Sequence, residues 1–300
     1  MMTDTFQIEP FAPPAVSFSY AHPGQSLPRR ALIHAVEAIS GQPRLRDLYL
    51  DWAACGKQPG EPVFDAALRL LGIAPRIRGT AHLRDLPRDG GLLLVANHPF
   101  GIVDGLILGQ LGQRLRGPVR IMTNSLLCRV PELVPHLLPV DFSGTPQARR
   151  LTGQTRQQAT ALLAAGHAVA IFPAGGVATA NAPLGGRAVD SPWHAFVARL
   201  ATVPGTTTLP VHFHGQNSRL FQIASHLSYA LRVALIFHET RRRIGRPLDL
   251  TLGAPIAAAT LAALPRDQIA ATLRRTTMAL AHPALPDPEE TFRWPAHIRW

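Results

Sequence analysis

Gly91-Leu-Leu-Leu-Val-Ala-Asn-His-Pro-Phe-Gly-Ile-Val-Asp-Gly105 is the stretch on which the fold turns. Its first six residues form a short apolar run behind Asp89-Gly90, the pattern of a strand buried on both faces. A Pro/Gly turn follows, and residues 102–115 then read as a helix with Asp104 in its first turn. Strand, turn and helix in that order form half of a βαβ unit. The rest of the chain repeats the alternation. Residues 119–122, 168–172, 208–214 and 248–253 read as strands. Residues 154–165, closed by Gly166, and 193–201 read as helices; 224–237 is mixed, and 260–280 is helical with a break at Pro265. Upstream, 26–80 is a helical lead-in, with Ser26 as N-cap, Pro28 in the first turn, and further helices near 44–54 and 63–71. The expected fold is therefore α/β: a mostly parallel central sheet flanked by helices, with an N-terminal helical segment. Residues 1–25 read as an extended arm, 26–280 as one domain, and 281–300 as a Pro-rich tail.

Composition narrows the function. The 300 residues are 46% apolar and only 16% charged, the reverse of a disordered chain. Two cysteines, Cys55 and Cys128, cannot frame a disulfide scaffold, and a reducing compartment is expected. The first 20 residues lack the apolar core of a signal peptide. No apolar run approaches the roughly 20 residues of a membrane span, and the run at 230–237 already holds Arg232. A location on the cytoplasmic side, peripheral to the inner face of the cell membrane, is expected. The net charge is +11, and because Lys57 is the one lysine, the other 29 of 30 basic residues are arginine. Such a balance favours a polyanionic partner: nucleic acid, an anionic membrane, or a phosphorylated or carrier-bound thioester substrate.

Three stretches carry chemistry. His98 sits where a buried strand ends, the usual place for ligands in such sheets. Asp104, on the next helix, can meet it across the turn, fix one imidazole tautomer and steady the charge on the other nitrogen. With no serine beside it, such a histidine can deprotonate a hydroxyl that belongs to the substrate. A structural histidine fits the same pattern. In Phe172-Pro-Ala-Gly-Gly-Val-Ala-Thr179, two glycines permit close backbone approach and free N–H groups for an anion or oxyanion, though a plain turn fits as well. In Leu209-Pro-Val-His-Phe-His-Gly215, His212 and His214 share a strand face. They could be polar lining or two zinc ligands, but no Cys pair or His-Glu-x-x-His accompanies them.

Taken together and in order, these stretches resemble the PlsC-like glycerolipid and lysophospholipid acyltransferases. The resemblance is nearest to a bacterial branch labelled hemolysin-like or ornithine-lipid-type. It rests on Asn97–Gly105, Asn124-Ser-Leu-Leu127, Pro131-Glu-Leu133, Phe172–Gly175 and Gly215-Gln-Asn-Ser-Arg-Leu-Phe221, and spans about residues 30–258. It implies transfer of a fatty acyl group from an acyl carrier protein or coenzyme A thioester to a lysolipid hydroxyl, with no cofactor and no metal. His98 would be the base and Asp104 its orienter. Asn97, Gly101, Phe172, Pro173, Ala174, Gly175 and Gly176 would form the substrate site. Two departures stand out. Five residues separate His98 from Asp104 where four are commoner, so the turn must bulge. The usual Phe-Pro-Glu-Gly-Thr-Arg has become Phe-Pro-Ala-Gly-Gly-Val, which loses the arginine expected to hold a phosphate. A lyso-aminolipid, such as a lyso-ornithine lipid, then suits better than glycerol 3-phosphate. Arg149, Arg150 and Arg187 are candidate replacements.

Rival readings remain at this level. One is a lipid hydrolase using Ser125, Ser218 or zinc at His212/His214, although no Gly-x-Ser-x-Gly elbow is present. Another is a non-catalytic lipid-binding protein. Nucleic acid is not expected, because the basic residues are dispersed and no nucleic-acid motif occurs. Membrane contact is expected from the apolar stripe at 26–40, from Arg241-Arg-Arg243 with Arg232 and Arg246, or from Phe292-Arg-Trp294 and Arg299-Trp300.

Overall fold

The computed structural model describes residues 19, 21, 24–124, 128, 130–141, 145–285 and 287–298. Most of the expected N-terminal arm, together with Ser125 and Arg299-Trp300, lies outside them.

The lead-in comprises α1 (Leu27–Ser40), α2 (Gln42–Asp51), a π turn at Trp52–Gly56 and α3 (Val63–Leu70). Pro28 occupies the first turn of α1, but Ser26 makes no capping hydrogen bond. Then come β1 (Pro75–Arg78), β2 (Leu92–Ala96), α4 (Ile102–Arg116), β3 (Val119–Asn124), β4 (Leu137–Val140), α5 (Pro146–Ala164) and β5 (Ala168–Ile171). A small hairpin pairs β6 (Thr179–Ala180) with β7 (Ala188–Val189), followed by α6 (Phe196–Ala201) and β8 (Thr207–Phe213). The mixed region resolves into α7 (Arg219–Leu227), α8 (Tyr229–Ala234) and α9 (Ile236–Arg243). The chain continues through β9 (Leu248–Leu252), β10 (Ile256–Ala257), α10 (Ala258–Ala262) and α11 (Arg266–Met278).

The main sheet runs β1-β9-β8-β2-β5-β3-β4, with β10 added to β8. From β8 to β4 every pairing is parallel; β9 turns antiparallel to β8 and carries β1 with it. Strand β2 is central and wholly buried because both faces are covered. Leu92, Leu94 and Ala96 face the α3/α4 side with Phe64, Val103 and Ile107. Leu93 and Val95 face the α5/α6/α11 side with Leu163, Val197 and Leu273. Helix α5 begins eight residues before the expected 154. Thr145 Oγ1 accepts the Ala148 N–H at 3.1 Å and Pro146 occupies the first turn, so the helix starts at a Thr-Pro cap. Among the described residues no helix is long and apolar enough to cross a membrane.

Candidate active site

Strand β2 delivers His98 to the carboxyl end of the parallel strands. Gly101, with φ +74° and ψ −116°, makes the bulge that the five-residue spacing demands, a conformation that strains a residue carrying Cβ. Helix α4 then starts with Asp104 in its first turn, fully buried. His98 Nδ1 lies 3.1 Å from Asp104 Oδ2. The same oxygen accepts the Phe100 N–H at 2.7 Å and the Gly101 N–H at 3.1 Å. Burial pushes the Asp104 carboxyl above its ordinary range, while His98 and the two amides pull the other way. Asp104 Oδ1 is buried without a hydrogen-bond partner among the described residues, and the Arg243 guanidinium is near enough to interact with the carboxylate. Arg243 lies over the Phe100 ring at 3.8 Å.

The imidazole is fixed from several sides. Its ring stacks on Phe172, with centroids 4.0 Å apart and planes at 23°. The His98 N–H donates to Asp190 Oδ1 at 3.2 Å, and its carbonyl accepts the Ala178 N–H at 2.7 Å. Asp190 is itself buried; it also accepts the Trp193 indole N–H at 2.9 Å, and burial pushes its carboxyl up to about 6. With Nδ1–H given to Asp104, Nε2 is the acceptor left on a ring that borders the cavity.

That cavity has a volume of about 330 Å³, at the small end of ligand sites. From His98, two residues beyond the end of β2, it passes Ile171 on β5 and Met122, Thr123 and Asn124 on β3 to Val140 on β4. Three strand spacings of about 4.8 Å make that span roughly 14 Å. Phe172, Phe196, Val197, Val233 and Ile236 complete a largely apolar wall. Such a shape accepts a single extended hydrocarbon chain with its functional end at the imidazole.

A family profile described as Acyltransferase matches residues 49–276. The chain belongs to this acyltransferase family. It is 28% identical over 204 residues to the lyso-glycine lipid O-acyltransferase of Phocaeicola vulgatus, covering 66% of this chain and 69% of that one. The protein of the same name from Bacteroides thetaiotaomicron is 26% identical over 204 residues, covering 66% of this chain and 71% of that one.

In this acyltransferase the expected site residues divide. His98, Gly101, Phe172, Pro173, Gly175 and Gly176 border the cavity; Asn97 and Ala174 do not. Asn97 is instead a strand clamp: its amide donates to the Phe213 carbonyl at 2.9 Å and accepts the Phe213 N–H at 2.7 Å. Ala174 packs in the core beside Trp193 and Val197. The Gly175 N–H, expected to be free, closes a turn onto the Phe172 carbonyl at 3.0 Å. With Ala178 engaged by His98, Gly176 and Val177 are the cavity-lining residues of this turn whose amides have no acceptor among the described residues.

Of the rival nucleophiles, Ser125 lies outside the described residues, and the others sit elsewhere. Ser218 caps α7 and gives its hydroxyl to Glu239, away from the cavity. His212 is buried and lowered to about 3, by burial and then by His214. His214 donates to Thr251 Oγ1 at 2.7 Å and accepts the His282 N–H at 3.3 Å, so both its nitrogens are engaged. Among the described residues no third metal-type side chain joins the pair.

The arginines also redistribute. Arg149, Arg150 and Arg187 are exposed and none borders the cavity. Arg232 and Arg243, expected on a charged surface, point inward instead. Arg232 is 3% exposed and forms part of the cavity wall. Its place in the cavity was not legible because a lone arginine in an apolar stretch, grouped with the Arg241–Arg243 run, gives no sign of which way it faces. Asp190 carried no signal at all, lying 92 residues from the histidine it supports.

Proposed function

We propose that this enzyme is a lysolipid O-acyltransferase with His98 as general base. The observation that carries the reading is the 3.1 Å His98–Asp104 contact at one end of an apolar cavity, with no serine or cysteine lining it among the described residues. His98 Nε2 takes the proton from the acceptor hydroxyl as its oxygen attacks the thioester carbonyl. The negative charge that develops on the carbonyl oxygen faces the Gly176 and Val177 amides. The C–S bond then breaks, the ester forms, and the imidazolium returns its proton to the departing thiolate. Asp104 holds the imidazole in the productive tautomer and stabilises its transient charge.

The donor is an acyl carrier protein or coenzyme A thioester, in keeping with the basic chain. The acceptor is a single-chain lipid with a free hydroxyl. An aminolipid headgroup of the lyso-glycine or lyso-ornithine kind fits, since the relatives are named for lyso-glycine lipid and Val177 stands where a phosphate-holding arginine is commoner. Peripheral attachment to anionic lipid brings the enzyme to this insoluble acceptor.

The test is incubation of the full chain with labelled acyl-carrier protein or acyl-coenzyme A and a panel of single-chain lipids. Acylated product is expected, and His98→Ala should lower the rate by roughly 100- to 10,000-fold. Absence of product with every pair, or a His98→Ala variant at the wild-type rate, sinks the reading.

A further inference from the structure

Arg232 stands on α8, in the wall of the cavity that holds His98. It is 3% exposed, and every group it touches is neutral. Nη1 donates to Thr179 Oγ1 and to Ser225 Oγ, the latter at 2.9 Å, and Nη2 donates to the Val177 carbonyl. The guanidinium lies over the rings of Phe221 and Trp294, at 5.0 and 4.8 Å. No carboxylate faces it among the described residues. A guanidinium has five N–H donors, so three are engaged and two remain. Burial lowers its pKa to about 10, which leaves it charged at neutral pH.

A buried charge without a counter-charge is costly and is normally paired. Two buried carboxyls have such partners: Asp104 has Arg243 nearby, and Asp190 has His98 and Arg274. Arg232, which borders the cavity, has no carboxylate among the described residues. It is also tied to the reaction centre. The Val177 carbonyl it binds belongs to the residue just before Ala178, whose N–H holds the His98 carbonyl. One peptide unit thus links the guanidinium to the base.

We propose that Arg232 is the headgroup receptor of the acceptor site and that its ligand is a carboxylate. The inference rests on the lysolipid reading above and deepens it. A single guanidinium with two donors left matches a planar monoanion. The other arginine of the cavity, Arg156, is exposed and lies over the Phe196 ring at 4.9 Å, so a doubly charged phosphate would find one buried cation rather than two. A single-chain lipid with an amide-linked amino acid offers such a carboxylate near the hydroxyl that must reach His98. Bound there, it would supply the missing counter-charge and leave the alkyl chain to the apolar wall.

The test is binding, which needs no turnover. N-hexadecanoylglycine, its methyl ester and hexadecyl phosphate are titrated into the full chain below their micellar concentrations. The free acid should bind roughly 10- to 100-fold tighter than the ester, the range of a hydrogen-bonded charged contact. The alkyl phosphate should bind no tighter than the acid. Arg232→Met should shrink the acid-to-ester ratio to below about 3-fold, with Arg232→Lys between the two; a ratio is insensitive to a general loosening of the Val177 turn. Equal binding of acid and ester by the wild type overturns the proposal, and this arm needs no variant to fold. An unchanged ratio in Arg232→Met overturns it also, and tighter binding of the alkyl phosphate overturns the carboxylate assignment. If the acid is preferred through Arg232 but no acyl transfer occurs with any donor, the transferase reading fails and the receptor stands.

Discussion

Asp190 accepts the backbone N–H of His98, the proposed base, and its own chemistry makes that support measurable. Its folded pKa of about 6 lies above an ordinary carboxyl, so the native state keeps a proton that the unfolded chain has lost between about pH 4 and 6. Stability contributed by this group therefore falls as pH rises through that window. The wild-type stability minus that of Asp190→Asn should drop by about 2 kcal/mol from pH 4 to pH 7, read by denaturant melts. A flat difference would show that the carboxyl is not buried as described. Asp190→Ala should also slow turnover roughly 10-fold with little change in KM, since it frees the His98 N–H without touching the cavity. At this scale the contact between His98 and Asp104 was legible in the sequence because five intervening residues place them on one turn. It could not disclose Asp190, Arg232 or Arg243. Each reaches the site from a distant element, and nothing in a lone acid or an arginine run indicates which way it faces.

Elements carry the next level of constraint. Helix α4 passes close to α3, and a Cβ on Gly109 would come 2.5 Å from Cε1 of the buried Phe64 ring. Gly109→Ala should cost roughly 1–3 kcal/mol in a thermal melt through overpacking. At the far end of the cavity, Val140 on β4 bounds the space. Val140→Trp should shift donor preference toward shorter acyl chains, measured by competition among thioesters; an unchanged profile would place the chain elsewhere. Helix α1 turns Ile33, Glu37 and Ser40 inward while Leu27, Leu32 and Ile39 are 75%, 41% and 79% exposed. The stripe expected at 26–40 is thus split: Ile33 belongs to the protein and Ile39 to the outside. Leu32→Glu with Ile39→Glu should weaken binding to anionic vesicles at least 10-fold, since burying each side chain is worth about 1.5–3 kcal/mol. Leu184→Glu, equally exposed in the β6–β7 hairpin, is the control that should not. The strongly apolar strands and Gly-bounded helices were legible in advance. Strand β4 was not, because Pro139 argues against a strand that only an edge position tolerates. Strand β1 was not, because Pro75-Arg-Ile-Arg78 offers one apolar residue.

Across the whole molecule the positive excess and the cavity share a side of the argument. Several surface acids are paired with arginine or lysine, as in Glu61–Arg69, Asp249–Arg76, Asp65–Arg114 and Glu132–Lys57. The excess of arginine over acid is what the proposed lipid phosphate or acidic carrier would meet. Vesicle binding should therefore fall steeply between low and physiological salt, and salt-independent attachment would leave the apolar stripe as the whole anchor. The alternating architecture was readable as a mostly parallel sheet; the reversal at β9 was not, since a strand's direction is set by where its neighbours lie.

The irregular run after α11 has a role its composition concealed. The Phe292 N–H binds the Asp190 carbonyl at 2.9 Å, Arg274 ties down the Pro288 carbonyl at 2.8 Å, and Trp294 covers Arg232 at 4.8 Å. The surroundings of His98 are thus completed by residues that follow every strand and helix of the sheet. A chain can assemble its sheet before the contacts that brace Asp190 and cover Arg232 exist. A fragment that stops before Pro288 is expected to keep the sheet yet lack both braces.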